Sequence, residues 1–190
     1  MNWLEWVAAG LGVINVGLLV RRSIWNYPFG LAMVAILFFV LFEKRLYSEA
    51  LLQIFFFVVQ LYGWWNWARS KKNTGEVQVG LLSWRDRFLW AAATVAISFG
   101  WGAIMHRFTD AAYPFVDAFV AGASVCAQIL LARRKLENWP IWIMADIISV
   151  YLFWSRDLPL MAGLYVLLLL LCIAGFIDWR RKLVAQGKPA

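Results

Sequence analysis

The sequence predicts an all-α integral membrane protein of seven transmembrane helices, and three observations carry that prediction. Of 190 residues, 63% are apolar and 15% charged, and the mean hydropathy is +0.68. A water-soluble fold of this length could not hide so much apolar surface. The apolar residues fall into seven long runs separated by charges and turn residues. These runs are continuous rather than alternating, and hydrocarbon tolerates no unpaired backbone polar group, so helices rather than barrel strands are expected to cross the membrane. Seven helices of about 20 residues take up roughly 140 positions. What remains suffices for connections but not for an aqueous catalytic domain, so a monomeric soluble enzyme is excluded.

The first run, Trp3 to Val20, follows no basic stretch and precedes Arg21-Arg22 rather than a small-residue cleavage site, so it is expected to stay as a helix. The second, Tyr27 to Phe42, opens at Asn26-Tyr27-Pro28, which predicts Pro28 at the first helical position (N1), preceded by an Asn26 cap. A helix start beside a cavity can also rearrange, and both readings hold together. The third, Ala50 to Trp67, carries Gln53, Phe57, Gln60 and Trp64 on one helical face. Ser70 to Arg87, with Gly75 and Gly80, is the one long connection and is expected to be an exposed link. The fourth run, Phe88 to Met105, reads as a linker helix, and the fifth, Phe115 to Ala132, carries Asp117, Ala121, Ser124 and Gln128 on one face. The sixth, Trp139 to Trp154, opens at Asn138-Trp139-Pro140 like the second and aligns Trp142, Asp146 and Ser149. The seventh, Leu160 to Trp179, is apolar nearly throughout.

Charge gives the orientation. Connections after the first, third and fifth runs, with the C-terminal segment, hold 14 Lys and Arg: Arg21, Arg22, Arg69, Lys71, Lys72, Arg85, Arg87, Arg133, Arg134, Lys135, Arg180, Arg181, Lys182 and Lys188. The opposite side holds 4: Lys44, Arg45, Arg107 and Arg156. Basic loops stay inside, so the N-terminus is expected outside and the C-terminus in the cytoplasm of a bacterial inner membrane. The net charge of +7 is spread between apolar runs instead of gathered in one basic face, which argues against a nucleic-acid partner. With one histidine, His106, and two cysteines, Cys126 and Cys172, neither a metal site, a cofactor site nor a disulfide framework is expected. Trp25, Tyr47, Trp64, Trp65, Trp139, Trp154 and Trp179 lie at span ends and are expected in the interfacial belt.

Sliding the chain over itself by 112 residues pairs Gly10 with Gly122, Arg21-Arg22 with Arg133-Arg134, Asn26 with Asn138, Pro28 with Pro140, Leu46 with Leu158, Gly63 with Gly175, Trp67 with Trp179 and Arg69 with Arg181. Apolar matches would be cheap coincidences here, but polar, Gly and Pro matches in one register are not. They predict three helices, a linker helix and three helices, with the halves in parallel. The expected boundaries are 1–69 for the first repeat, 70–111 for the cytoplasmic link and linker helix, 112–182 for the second repeat and 183–190 for a tail. Transporters of this arrangement hold a midplane site between repeats.

A carboxylate at a helix centre costs roughly 3 kcal/mol to insert, so Asp146 calls for a partner or a wet cavity. Buried amides serve equally well as interhelical glue, at about 0.6 kcal/mol per contact. Register separates the two roles in part: Asp146 aligns with Val34, Gln128 with Val16, Gln53 with Tyr165 and Gln60 with Cys172. These polar groups break the symmetry that the Asn, Pro and Gly positions keep, as a ligand without two-fold symmetry requires. Asp117 instead aligns with Glu5 near a span end, where a helix-dipole or interfacial role is expected.

Trp25-Asn26-Tyr27-Pro28-Phe29-Gly30, Leu46-Tyr47, Leu51-Leu52-Gln53, Phe55-Phe56-Phe57, Tyr62-Gly63-Trp64, Arg134-Lys135, Glu137-Asn138-Trp139 and Trp142 together resemble the Pnu family of bacterial vitamin transporters, in particular its nicotinamide riboside branch. The resemblance covers essentially the whole chain. It implies a seven-helix, SWEET-like fold and facilitated diffusion of an unphosphorylated vitamin that a cytoplasmic kinase then traps. It also implies ligand contacts at Gln53, the Tyr62-Gly63-Trp64 region, Asn138 and Trp142. Asp146 stands where the family pattern often has Asn. The candidate lining set in the first half is Asn26, Gln53, Phe57, Gln60, Tyr62 and Trp64; in the second it is Gln128, Asn138, Trp142, Asp146 and Ser149.

Nicotinamide riboside carries a pyridinium charge and thiamine a thiazolium, so a carboxylate beside tryptophan faces suits either better than neutral riboflavin. Nicotinamide riboside comes first, with thiamine or riboflavin as alternatives within the family. A membrane sensor or assembly subunit is the alternative from another class and would show no flux. No enzyme is expected, because His106 has no visible catalytic partner, and no ATP-binding loop is present. The expected partners are the vitamin and membrane lipid, with self-association left open.

Overall fold

The computed structural model describes residues 3–45, 47–108 and 114–187. Seven helices follow in order: α1 (Trp3–Val20), α2 (Asn26–Glu43), α3 (Tyr47–Thr74), α4 (Trp84–Phe108), α5 (Pro114–Ala132), α6 (Asn138–Ser155) and α7 (Pro159–Ala185). The fold is all-α. By length and composition α1, α2, α4, α5 and α7 can each cross a bilayer. The other two, α3 and α6, carry most of the polar candidates, with Gln53 and Gln60 on one and Asn138, Asp146 and Ser149 on the other. Leu46 and Lys188, used above for register and charge, lie outside the described residues, as does the side chain of Tyr47.

The chain packs as two compact units. One comprises the chain up to Val79, Ala132–Arg134 and the chain from Ile177; the other comprises Gly80–Leu131 and Lys135–Phe176. In the first unit Trp67 and Trp179 are fully buried, their rings 5.6 Å apart, and the Trp179 indole N–H donates to the Leu19 carbonyl at 3.1 Å. In the second, Trp139 is 1% exposed and lies against Gly175. Trp139 and Trp179 are therefore core residues, contrary to the interfacial role expected of them. A glycine opposite one ring and a backbone acceptor for the other make that burial feasible. Trp25, Trp65 and Trp154 remain exposed.

Both helix starts differ from expectation in the same way. Asn26 and Asn138 are the first residues of α2 and α6, not their caps, and Trp25 and Glu137 before them are already helical, without a capping side chain. Each Asn turns its Nδ2 back to a carbonyl three residues earlier, Ser23 for Asn26 and Lys135 for Asn138, both at 2.6 Å. Pro28 and Pro140 then occupy the third position rather than the first expected of them, still among the first four N–H groups that lack helical acceptors, so no hydrogen bond is lost. The preceding helices close with backbone bonds from Ser23 to Leu18 (3.0 Å) and from Lys135 to Leu130 (2.9 Å), around Arg22 (φ 54°) and Arg134 (φ 59°). That left-handed position favours glycine. Both side chains reach a partner instead: Arg22 pairs with Asp178, and Arg134 donates to Asn66 Oδ1 at 3.5 Å.

Residues 112 apart thus repeat their local geometry, and two further pairs do the same. Lys44 pairs with Glu5, while Arg156 grips both Asp117 oxygens at 3.0 and 3.1 Å. Tyr27 packs on Gly63 as Trp139 packs on Gly175. Asp117 is thereby accounted for as an interfacial ion pair in the first turn of α5.

The link between α3 and α4 is not simply exposed, because α3 continues to Thr74 and Val77 and Val79 are buried. Ser70 Oγ accepts the Gln78 N–H at 3.0 Å, and Thr74 Oγ1 donates to the Glu76 carbonyl at 2.8 Å, folding the chain back on the helix end. The hydrogen bond from Lys182 holds the Glu76 carboxyl below the usual carboxylate range. In the second unit, Gly80 takes the Leu136 N–H at 3.0 Å and Glu137 Oε1 takes the Leu82 N–H at 3.0 Å, so the link is bolted to the turn before α6. Hydroxyls within the apolar helices bond to their own backbone: Thr94 to Trp90, Ser98 to Thr94 and Ser124 to Val120, at 2.6–2.8 Å. This i to i−4 bonding removes the cost of burying them.

Candidate functional site

In the first unit, Asn15, Asn26 and Gln60 converge on Gly30. Asn15 Nδ2 donates to the Asn26 carbonyl at 2.8 Å, and Gln60 Nε2 approaches the Gly30 carbonyl at 3.5 Å. A Cβ on Gly30 would lie 2.1 Å from Gln60 Oε1 and 2.7 Å from Asn15 Nδ2, so only glycine admits this cluster. All three polar side chains are buried, and together they tie α1, α2 and α3. Asn15, a polar residue within the first run, was not in the candidate set. Trp64 stacks nearly parallel to Tyr27 at 6.4 Å, and the Tyr27 hydroxyl is buried without a hydrogen-bond partner. Gln53 is half-buried on α3. Phe57 and Tyr62 are 38% and 44% exposed, so the Gly30 cluster does not include them. Burial lowers the pKa of Arg134 from its ordinary value, opposed by the nearby phenols of Tyr27 and Tyr62.

In the second unit, Asn138, Trp142, Asp146 and Ser149 occupy one face of α6, at successive spacings of four, four and three residues. Asn138, Asp146 and Ser149 are 0%, 5% and 3% exposed, and Trp142 is half-buried. Cys172 and Tyr165 of α7 are close electrostatic neighbours of Asp146. Two acceptors on this face stay empty-handed, Asn138 Oδ1 and Asp146 Oδ2. A buried acceptor without a donor costs roughly 1–3 kcal/mol, more when charged. The face therefore presents two acceptors that a hydrogen-bond donor or a positive charge would satisfy. Gln128 is half-buried on α5.

The profile of the nicotinamide mononucleotide transporter family matches residues 2–181. The chain belongs to this family. It is 27% identical to the nicotinamide riboside transporter PnuC of Escherichia coli (strain K12), over all of this chain and 90% of that one. The PnuC of Neisseria mucosa is 30% identical, over 95% of this chain and 73% of that one. The riboflavin/roseoflavin transporter RibM of Streptomyces davaonensis is also 30% identical, over 99% and 92%. The crystal structure of the vitamin B3 transporter PnuC superposes with a TM-score of 0.78 at 28% identity, covering 96% of this chain and 83% of that one. These members of the nicotinamide mononucleotide transporter family are named as transporters, not enzymes. A multi-pass membrane protein that transports a small vitamin is the reading common to family and fold.

Proposed function

We propose that this chain carries nicotinamide riboside across the bacterial inner membrane by facilitated diffusion, and that phosphorylation by a cytoplasmic kinase traps it inside. The observation that carries the choice of substrate is the α6 face. Asp146 Oδ2 lacks a donor, Asn138 Oδ1 lies unpaired two turns away, and the Trp142 indole sits between them in sequence. A pyridinium ring meets a carboxylate by charge pairing and an indole by cation–π attraction, while ribose hydroxyls supply donors to the amide oxygen. Gln128 and Ser149 belong to the same proposed set of contacts, and Asn26, Gln53, Phe57, Gln60, Tyr62 and Trp64 are the contacts proposed in the first unit. RibM supports a second reading, riboflavin, in which the neutral ring would hydrogen-bond to the same acceptors. Two parallel three-helix repeats, 1–69 and 112–182, joined through 70–111, remain our proposed architecture, supported by the paired local geometries.

Two tests address mechanism. Vesicles holding the purified protein and no trapping enzyme should equalise nicotinamide riboside across the membrane whatever the proton or sodium gradient; accumulation that collapses with an ionophore would establish ion coupling instead. For orientation, cysteines introduced at Lys72 and Asp157 and probed in intact cells should be modified from outside only at position 157. The reverse pattern would invert the proposed topology.

A further inference from the structure

We propose that an open groove of the second unit, bounded by α4, α5 and α6, seats one acyl chain of an anionic phospholipid, with the lipid phosphate at Arg85 and Arg87. The groove holds about 350 Å³, and its walls include Trp90, Val95, Phe119, Leu130, Ile141 and Met144. None of the proposed vitamin contacts lines it, and the inference does not depend on which vitamin is carried.

Polarity runs along the groove in one direction. Arg87 and Glu137 stand at one end, and beyond them the lining is apolar apart from Thr94, whose hydroxyl is taken by the Trp90 carbonyl. Such a lining offers nothing to a sugar or a peptide and suits a hydrocarbon tail. From Phe119 to Leu130 it follows α5 for about 16 Å at 1.5 Å per residue, which matches the hydrocarbon depth of one leaflet, half of about 30 Å.

Headgroup chemistry is argued from the charged end. A second concavity, lined by Trp84, Arg85, Arg87, Phe88 and Leu89, shares Arg87 with the groove. The carboxylates nearby are already engaged: Asp86 accepts from Ser83 Oγ at 2.7 Å, and Glu137 accepts from Arg87 Nε at 2.9 Å. Arg87 also lies 5.5 Å from the Trp84 ring, which fixes its guanidinium plane. Arg85 makes no ion pair among the described residues, its neighbour Asp86 being bonded to Ser83 Oγ instead. Trp84 and Phe88, 80% and 74% exposed, flank it as residues of a membrane interface do. A phosphodiester bridging the two arginines would give the Arg85 guanidinium an oxyanion partner while its tail fills the groove.

Native mass spectrometry of the full chain, titrated with dioleoylphosphatidylglycerol or dioleoylphosphatidylcholine, tests this. Wild type should retain the anionic lipid with roughly tenfold or greater preference, the effect of one charge-assisted contact. Arg85→Gln should abolish the preference. Ala91→Trp, which fills the groove and leaves both arginines in place, should abolish retention of either lipid, and Val95→Trp provides a second filling variant if the first does not fold. Equal retention of the two lipids by wild type would overturn the headgroup assignment. Undiminished retention by the folded groove-filling variant would overturn the acyl seat, leaving only diffuse attraction to surface charge.

Discussion

Asp146→Asn is expected to weaken nicotinamide riboside binding by roughly ten- to hundred-fold while changing the affinity of a neutral isostere far less. The substitution keeps size and hydrogen-bonding capacity and removes only charge. A charge-assisted contact contributes about 1.5–3 kcal/mol, which sets that range. The geometry sharpens the expectation, because Asp146 Oδ2 is buried without a donor and Asp146 makes no ion pair among the described residues. Calorimetry with both ligands on wild type and variant separates the alternatives. Equal losses for the two ligands, or no loss for either, would remove Asp146 from ligand recognition and leave it a structural residue of α6.

The second large effect is on stability. Gly175→Ala places a Cβ 2.5 Å from two carbons of the Trp139 ring, and that ring is 1% exposed and cannot swing aside. Overpacking of this kind typically costs about 1–3 kcal/mol. Gly163→Ala is the control on the same helix, since nothing lies within 4 Å of its added Cβ. Thermal unfolding in one detergent should therefore drop clearly for Gly175→Ala and stay within a few tenths of a kcal/mol of wild type, or rise slightly, for Gly163→Ala. Equal behaviour of the pair would mean that the close approach of α6 and α7 is not needed for stability.

The helices were legible in the sequence because hydrocarbon demands unbroken apolar runs, and that demand is written residue by residue. Their ends were less so. Asn-x-Pro reads as a cap followed by a first-turn proline, yet both asparagines lie inside the helix and bond backwards, an outcome decided by the left-handed residue that closes the preceding helix. Nothing in the local residue types marks Arg22 and Arg134 as left-handed, since glycine would be the usual signal. Trp139 and Trp179 look like belt residues by position and are core by packing, which depends on Gly175 and the Leu19 carbonyl, distant in sequence from their partners.

The candidate site shows the same division. Asp146 was identifiable because a mid-span carboxylate is costly wherever it occurs. Its neighbour Cys172 on α7 carries no such mark, because a cysteine in an apolar run looks like packing, and the structure buries it. Asn15 was visible as a polar residue in the first run, but its role depends on the approach of Gly30, which only three-dimensional packing reveals.

The most direct test is uptake of radiolabelled vitamins by vesicles that contain the purified chain and no kinase. Labelled nicotinamide riboside should enter saturably, and excess unlabelled nicotinamide riboside should block it far better than excess riboflavin. Saturable entry of riboflavin with none of nicotinamide riboside, or no flux of either, would contradict the account.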